Sequence, residues 1–151
     1  MSLRKLVLFD TFGLALFIID RILKSKALNL KETSFDASFF EFSLYKNPGI
    51  AFSVPFPRVI MIVITSLIII VILIALIQSL HQENIWKSAS YDIILYGAMS
   101  NLYDRVRYHF VIDYIQILFP WWFFNLADVM ITAGILQLLY ISFRSTKKTP
   151  V

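Results

Sequence analysis

The chain contains no cysteine. That excludes disulfides, thiolate metal sites and a cysteine nucleophile, and it means that the chain cannot itself carry a thioether-linked lipid. Histidine is almost as scarce. His81 and His109 are the only two, they lie far apart, and no HExxH spacing occurs, which argues against a zinc peptidase. No metal or other cofactor is expected. Charge is also short: 16% of the 151 residues are charged and 58% are hydrophobic, where a soluble domain has about 25% and about 45–50%. The balance is that of a membrane protein, and the length suits one compact domain.

The formal net charge of +4 would suggest nucleic acid for a soluble protein. Here Arg4, Lys5, Lys87, Arg144, Lys147 and Lys148 flank apolar runs, which is how cations anchor to phospholipid headgroups. The expected partner is therefore a phospholipid bilayer and not a nucleic acid.

Crossing the hydrocarbon core takes about 20 apolar residues in a helix. Val59 to Leu80 supplies such a run with no charge in it, entered through Pro55 and Pro57. Three weaker runs are predicted as helices: residues 6–23, ending in Asp20, Arg21 and Lys24; 88–103, interrupted by Asp92; and 121–143, containing Asn125 and Asp128. Arg4 and Lys5 before the first run resemble a signal peptide. The run continues to Leu23, carries Asp10 and is followed by no small-x-small cleavage site, so an uncleaved anchor is expected.

Residues 29–54 mix Lys31, Glu32, Asp36, Glu41 and Lys46 with Phe35, Phe39, Phe40, Phe42, Leu44 and Tyr45 in partial alternation. Short strands forming a small extramembrane sheet are predicted there. Asp104 to Pro120 is amphipathic and reads as an interfacial segment, with Trp121, Trp122, Phe123 and Phe124 as an aromatic belt where the chain re-enters the membrane. The fold class expected is mainly α and integral to the membrane: a single domain, residues 1–151, with four transmembrane helices and a small β-sheet after the first. Four helices put both termini on one side. Lysine and arginine counts alone do not fix which side that is.

Ionisable residues in or beside spanning helices cost a few kcal/mol and usually mark function. This chain has Asp20, Lys24, Asp92, Asp104, Arg105, Asp113 and Asp128. Asn101-Leu102-Tyr103-Asp104 and Asn125-Leu126-Ala127-Asp128 echo one another, each placing an amide and a carboxylate on one helix face. Asp113 lies between them. On one continuous helix it would stand about 22 Å from Asp128, so the two can meet only if the chain folds back, and Pro120 offers a break. Two carboxylates sharing a site hold one proton between them. One can then activate water while the other polarises a scissile carbonyl, which is peptide hydrolysis without metal or covalent intermediate.

Structural readings stand beside this one. Asp104 next to Arg105 reads as an interfacial ion pair, Asp20 and Lys24 as a helix-surface salt bridge, and Asp128 as a carboxylate stabilising a helix N-terminus. Two functional rivals remain as well. Ser53 with Lys24 or Lys46 could form a serine–lysine peptidase, and intramembrane carboxylates fit a small proton-coupled transporter subunit.

Five elements, in order along nearly the whole chain, resemble those of the signal peptidase II family. Asp20 and Lys24 resemble its D-x-x-x-K, and Asn47-Pro48-Gly49-Ile50-Ala51-Phe52-Ser53 its N-x-G-x-A-F-S. Gly97 to Arg105 resembles G-G-x-x-G-N-x-x-D-R, Val111-Ile112-Asp113-Tyr114 resembles V-x-D-[FY], and Phe124 to Asp128 resembles F-N-x-A-D, with Gly134 further along. Tyr96 and Ser100 depart from the glycines usual in the third element, so helix three is expected to sit differently, and Asp92 has no counterpart there.

The resemblance implies an aspartic endopeptidase with Asp113 and Asp128 as the catalytic pair. Asn101 and Asn125 would orient them or contact substrate, and Asp104 and Arg105 would brace the site. Asn47 and Gly49 would lie on a loop over it, the glycine in a tight turn with positive φ, and Asp20 and Lys24 would give support. The implied substrate is a prolipoprotein with a diacylglyceryl-modified cysteine, cut just before that cysteine at the outer face of the bacterial inner membrane. The termini would be cytoplasmic and the protein a monomer. A catalytically inactive homologue is the remaining alternative.

Overall fold

A computed structural model describes residues 3–30, 40–49, 57–117 and 122–146. The order of elements is α1 (Leu3–Ala27), β1 (Phe40–Asn47), α2 (Arg58–His81), α3 (Ile85–Arg107), β2 (Val111–Ile117), β3 (Phe123–Phe124) and α4 (Leu126–Thr146). Pro55, Pro120, Trp121 and the stretches predicted as strands at 31–39 lie outside the described residues.

α2 is a run of Val, Ile and Leu that buries only Met61 and Ser79. An apolar helix of 24 residues, about 36 Å long, with its sides open to the surroundings is a membrane helix and not a soluble core. α2 and residues Leu126–Ser145 of α4 are the two described helices long and apolar enough to cross a bilayer by length and composition. α1 and α3 carry the charges instead. α3 packs against α1, α2 and α4 and so forms the centre of the bundle. Its approach to α4 is close: a Cβ on Gly97 would stand 2.7 Å from the Ala127 carbonyl oxygen, and one on Gly134 would stand 2.8 Å from that of Ser90. Small residues let membrane helices meet in this way.

Tyr96 is accommodated on the other side of α3. Its ring lies over Gly13 of α1, where a Cβ would come within 2.7 Å of the ring, and its hydroxyl donates to Asp10 Oδ1 at 3.0 Å. The bulk of Tyr96 is thus met by a glycine on α1.

The sheet differs from the one expected. Of residues 29–54, the described strand is β1, and its partner is the segment read above as interfacial. β1 pairs antiparallel with β2 from Asn47↔Val111 to Phe40↔Ile117, with an irregularity between Phe42 and Tyr45. β3 pairs on the far side of β2 through Ile115↔Phe124 and Gln116↔Phe123. β2 is rich in β-branched residues (Val111, Ile112, Ile115, Ile117), which favour a pleated, half-buried surface. Ile112 and Tyr114 turn one face onto Ala27 of α1 and Leu44 of β1.

α4 also begins later than residue 121. Phe123 and Phe124 join the sheet, and the helix starts only after Asn125. Between α3 and β2 the chain reverses at His109, which holds φ 75°.

Candidate active site

The C-terminal ends of α1 and α3, the middle of β2 and the first turn of α4 converge on one buried polar cluster. Asp20, Lys24, Asp104 and Asn125 are fully buried, Asp113 is 1% exposed and Asn101 6%. Buried polar groups need partners, and these have them.

Lys24 occupies the centre. Its ammonium lies 3.0 Å from Asp20 Oδ2 and 2.8 Å from Asp104 Oδ2, and it donates to Asn101 Oδ1 at 2.8 Å and Ser100 Oγ at 3.3 Å. Asp20 also accepts from Ser100 Oγ at 2.5 Å, Tyr114 Oη at 2.9 Å and the Ala127 N–H at 3.3 Å. Asp104 accepts from Arg21 Nη1 at 2.5 Å and from the Ile112 N–H at 3.3 Å. The four charges of Asp20, Arg21, Lys24 and Asp104 cancel, as a buried ionic cluster requires.

Asp104 therefore pairs with Arg21 and Lys24 across helices and not with Arg105. Consecutive helical residues point to different faces. Among the described residues Arg105 donates only to the Asn101 carbonyl, at 3.5 Å, and forms no ion pair. Its guanidinium lies within electrostatic reach of Asp128, Asp113 and Asp104. Arg21 was missed in the sequence, although it lies one turn from Lys24 within the first element; it also stacks 4.4 Å over the Tyr103 ring. Ser100, a departure from the glycine usual at its position, supplies the hydroxyl shared by Asp20 and Lys24.

Asp113 and Asp128 stand in front of this cluster, joined by asparagines. Asn125 Nδ2 donates to Asp113 Oδ1 at 2.6 Å, while its Oδ1 accepts the Asp128 N–H at 3.0 Å. Asp128 Oδ2 in return accepts the Asn125 N–H at 3.2 Å. This reciprocal pair is a capping box at the start of α4. Asp128 thus holds the place of a helix N-terminal carboxylate that the sequence suggested, and its charge acts on Asp113. Asn101 Nδ2 donates to Asp128 Oδ1 at 2.8 Å, its other end being held by Lys24.

On the opposite side Asn47 Nδ2 donates to Asp113 Oδ2 at 3.0 Å. Asn47 Oδ1 accepts the Gly49 N–H at 3.1 Å, an Asx turn that aims the amide. Gly49 achieves this without positive φ, since no described glycine has one; the expected reason for glycine there does not hold. Ile50, Ala51, Phe52 and Ser53 lie outside the described residues.

Burial first, and then the neighbouring Asp128 carboxylate, push the Asp113 carboxyl up to about 7, while the amides of Asn47 and Asn125 pull it down. A carboxyl poised near neutrality can hold a proton at working pH and release it in a reaction. Among the described residues no group of three or more His, Asp or Glu side chains is placed to hold a metal ion.

Above the pair, Tyr45 of β1 stacks on Phe123 of β3 at 4.2 Å, making an aromatic wall on the sheet. At the other end of the bundle a cavity of about 240 Å³ between α1, α2 and α3 is lined by Leu6, Phe9, Asp10, Leu76, Leu80 and Asp92 among others. It lies apart from the cluster.

The family model described as signal peptidase (SPase) II matches residues 12–144. Among curated relatives, the lipoprotein signal peptidase of Pelagibacter ubique (strain HTCC1062) is 37% identical over 148 residues, covering 90% of this chain and 88% of that protein. That of Clostridium novyi (strain NT) is 29% identical over 149 residues, covering 93% and 99%. A bacterial membrane enzyme solved by the in meso method at 2.3 Å superposes with a TM-score of 0.78 at 24% identity, over 100% of this chain and 96% of that one. A second, at 1.9 Å, gives 0.71 at 22% identity. Both share the fold.

Proposed function

Because this chain belongs to the signal peptidase II family, we propose that Asp113 and Asp128 are the catalytic carboxylates with which it works. It is a protease that removes the signal peptide from prolipoproteins, and it is a membrane enzyme. The finer reading is that it cuts the peptide bond just before a diacylglyceryl-modified cysteine.

The observation that carries the catalytic assignment is the position of Asn125. One amide touches Asp113 with its NH₂ and the backbone of Asp128 with its oxygen, so a strand and a helix deliver two carboxylates to one place. The pair holds one proton and titrates as a unit, with Asp113, poised at about 7, as the member that carries it. Asp128 takes a proton from water as the water oxygen attacks the scissile carbonyl carbon. Asp113 gives its proton to the carbonyl oxygen. Collapse of the tetrahedral intermediate breaks the C–N bond: the departing amine takes the proton held by Asp128, and one hydroxyl of the intermediate returns its proton to Asp113 as the carboxyl product forms. The Arg105 guanidinium, within electrostatic reach of both carboxylates, suits the substrate's carbonyl oxygens.

All four helices span the bilayer in this reading. The site lies about 24 Å along α1 from Arg4, at a rise of 1.5 Å per residue, so the two stand near opposite headgroup layers. Arg4, Lys5, Lys87 and Arg144 share the end away from the site, which suits cytoplasmic termini and an active site at the outer face of the inner membrane. A lipid-anchored substrate fits such a site: its acyl chains stay among the exposed apolar side chains of the helices while the peptide bond meets water under the sheet. One copy of the chain supplies every residue named, in keeping with a monomer, and the basic residues at the bundle ends suit headgroups and not nucleic acid.

The test is cleavage of a diacylglyceryl-modified prolipoprotein by purified protein beside Asp113→Asn and Asp128→Asn. Loss of cleavage in both folded variants is expected. Near-normal cleavage in both would place the catalytic residues elsewhere, and a wild-type protein that never cuts would be an inactive homologue.

A further inference from the structure

The first backbone N–H groups of a helix have no helical carbonyl to bond. At the start of α4 each has found an acceptor, and the acceptors come from different elements. Asn125 and Asp128 satisfy one another. The Ala127 N–H donates to Asp20 Oδ1 at 3.3 Å, and the Leu126 N–H donates to Tyr114 Oη at 3.0 Å. The Tyr114 hydroxyl in turn donates a hydrogen bond to Asp20 Oδ1 at 2.9 Å, so it both donates and accepts.

Tyr114 is 1% exposed, and its ring meets that of Phe42 at 5.4 Å. Burial, and then the Asp20 carboxylate, push its phenol well above the ordinary range, so the proton donated to Asp20 stays in place at any working pH. In the chain it follows Asp113 directly. A side chain rooted beside one carboxylate therefore grips the first residue of the helix that carries the other.

Resting on the reading of Asp113 and Asp128 as the catalytic pair, we propose that Tyr114 is a positioning residue for that pair. Its hydroxyl, anchored on Asp20, fixes the first turn of α4 against β2 and so sets the separation of Asp128 from Asp113. The capping box orients Asp128 relative to its own helix. Asn125 ties the helix to Asp113 through its side-chain amide, and Tyr114 ties it to β2 through a ring buried against Phe42.

The bond can be deleted from either end. Tyr114→Phe keeps the ring and its contact with Phe42 but removes the acceptor. Leu126→Pro removes the donor at the first helical position, where proline is well tolerated. Each variant is assayed for prolipoprotein cleavage from acid to alkaline pH and for its thermal midpoint. In both, kcat should fall roughly tenfold with KM within about twofold. The bell-shaped kcat profile should narrow from both sides, because carboxylates that drift apart repel less and their two apparent pKa values converge.

A tyrosine that merely stabilises the fold would lower the melting point and leave kcat per folded molecule and the width of the bell unchanged; that outcome overturns the proposal. If Tyr114→Phe does not fold, Leu126→Pro decides alone by the same criteria. Failure of the underlying reading looks different: Asp113→Asn and Asp128→Asn would still cut, whatever happens at Tyr114.

Discussion

Lys24→Met deletes the buried ammonium at nearly constant volume. In the native protein that group sits among Asp20 Oδ2 at 3.0 Å, Asp104 Oδ2 at 2.8 Å, Asn101 Oδ1 at 2.8 Å and Ser100 Oγ at 3.3 Å, with no exposure to solvent. Removing one partner of a buried ion pair costs about 3–5 kcal/mol, because the other charge is left uncompensated. Here Asp104 keeps Arg21 and the Ile112 N–H, and Asp20 keeps Ser100, Tyr114 and the Ala127 N–H. The lower end, about 3 kcal/mol, is therefore expected.

Activity should suffer separately. Lys24 holds the oxygen of Asn101, which obliges its Nδ2 to face Asp128. Without Lys24 the amide can turn its oxygen toward the carboxylate, and a misplaced catalytic group costs up to about 100-fold. Denaturant unfolding in detergent, followed by the fluorescence of the three tryptophans, gives the first quantity, and prolipoprotein cleavage gives the second. Adding Asp104→Asn to Lys24→Met restores neutrality and should recover part of the stability. A single variant that loses less than about 1 kcal/mol and cuts at full rate would refute the reasoning.

Three further outcomes are expected. Asp113 has a folded-state pKa of about 7, raised from 3.8; the native state then binds the extra proton between those values, so stability is present below about pH 4 and is lost as pH rises through 7. Asp113→Asn should abolish that loss, worth up to about 4 kcal/mol, and melting points measured at pH 4 and pH 8 would show it as a gain at pH 8 alone. Gln116 is fully buried, and among the described residues neither of its amide atoms has a hydrogen-bond partner, so Gln116→Met should stabilise the protein by about 1–3 kcal/mol in the same denaturant assay. Gly97→Ala would place a methyl 2.7 Å from the Ala127 carbonyl oxygen; pushing the first turns of α4 outward, it should reduce cleavage at least tenfold, and unchanged kinetics would mean that α3 and α4 separate freely.

What the sequence discloses and what it hides follow the range of the interactions. α2 is legible because its signal is local: a long apolar run with no charge in it. The capping box at Asn125 and Asp128 is local too, and its i, i+3 spacing could be read, though the aromatic residues 121–124 made the helix look longer than it is. β2 is hidden because its partner lies more than sixty residues earlier, as Tyr45↔Asp113 and Asn47↔Val111 show; no short window carries that register. Asp104 and Arg105 mislead in the opposite way. Adjacent in sequence, they look like a pair, but helical geometry turns them apart and gives Asp104 to Arg21 and Lys24. Asp113 and Asp128 could be suspected from their placement and spacing, yet the means of their meeting, an asparagine between a strand and a helix end, depends on the tertiary fold.

The ionic cluster also bears on how the protein is made. Asp20, Arg21 and Lys24 leave the ribosome on the first helix, and Asp104 follows 83 residues after Arg21. At about 5–20 residues per second, Asp104 emerges roughly 4–17 s later. Until then Arg21 lacks its acid, and Lys24 has only Asp20 beside it. The C-terminal end of α1 can settle as in the folded protein only when α3 arrives with Asp104. Asp113 and Asp128 come later still, on β2 and α4, so on the proposed reading of them as the catalytic pair a nascent chain interrupted before α4 would hold no active protease.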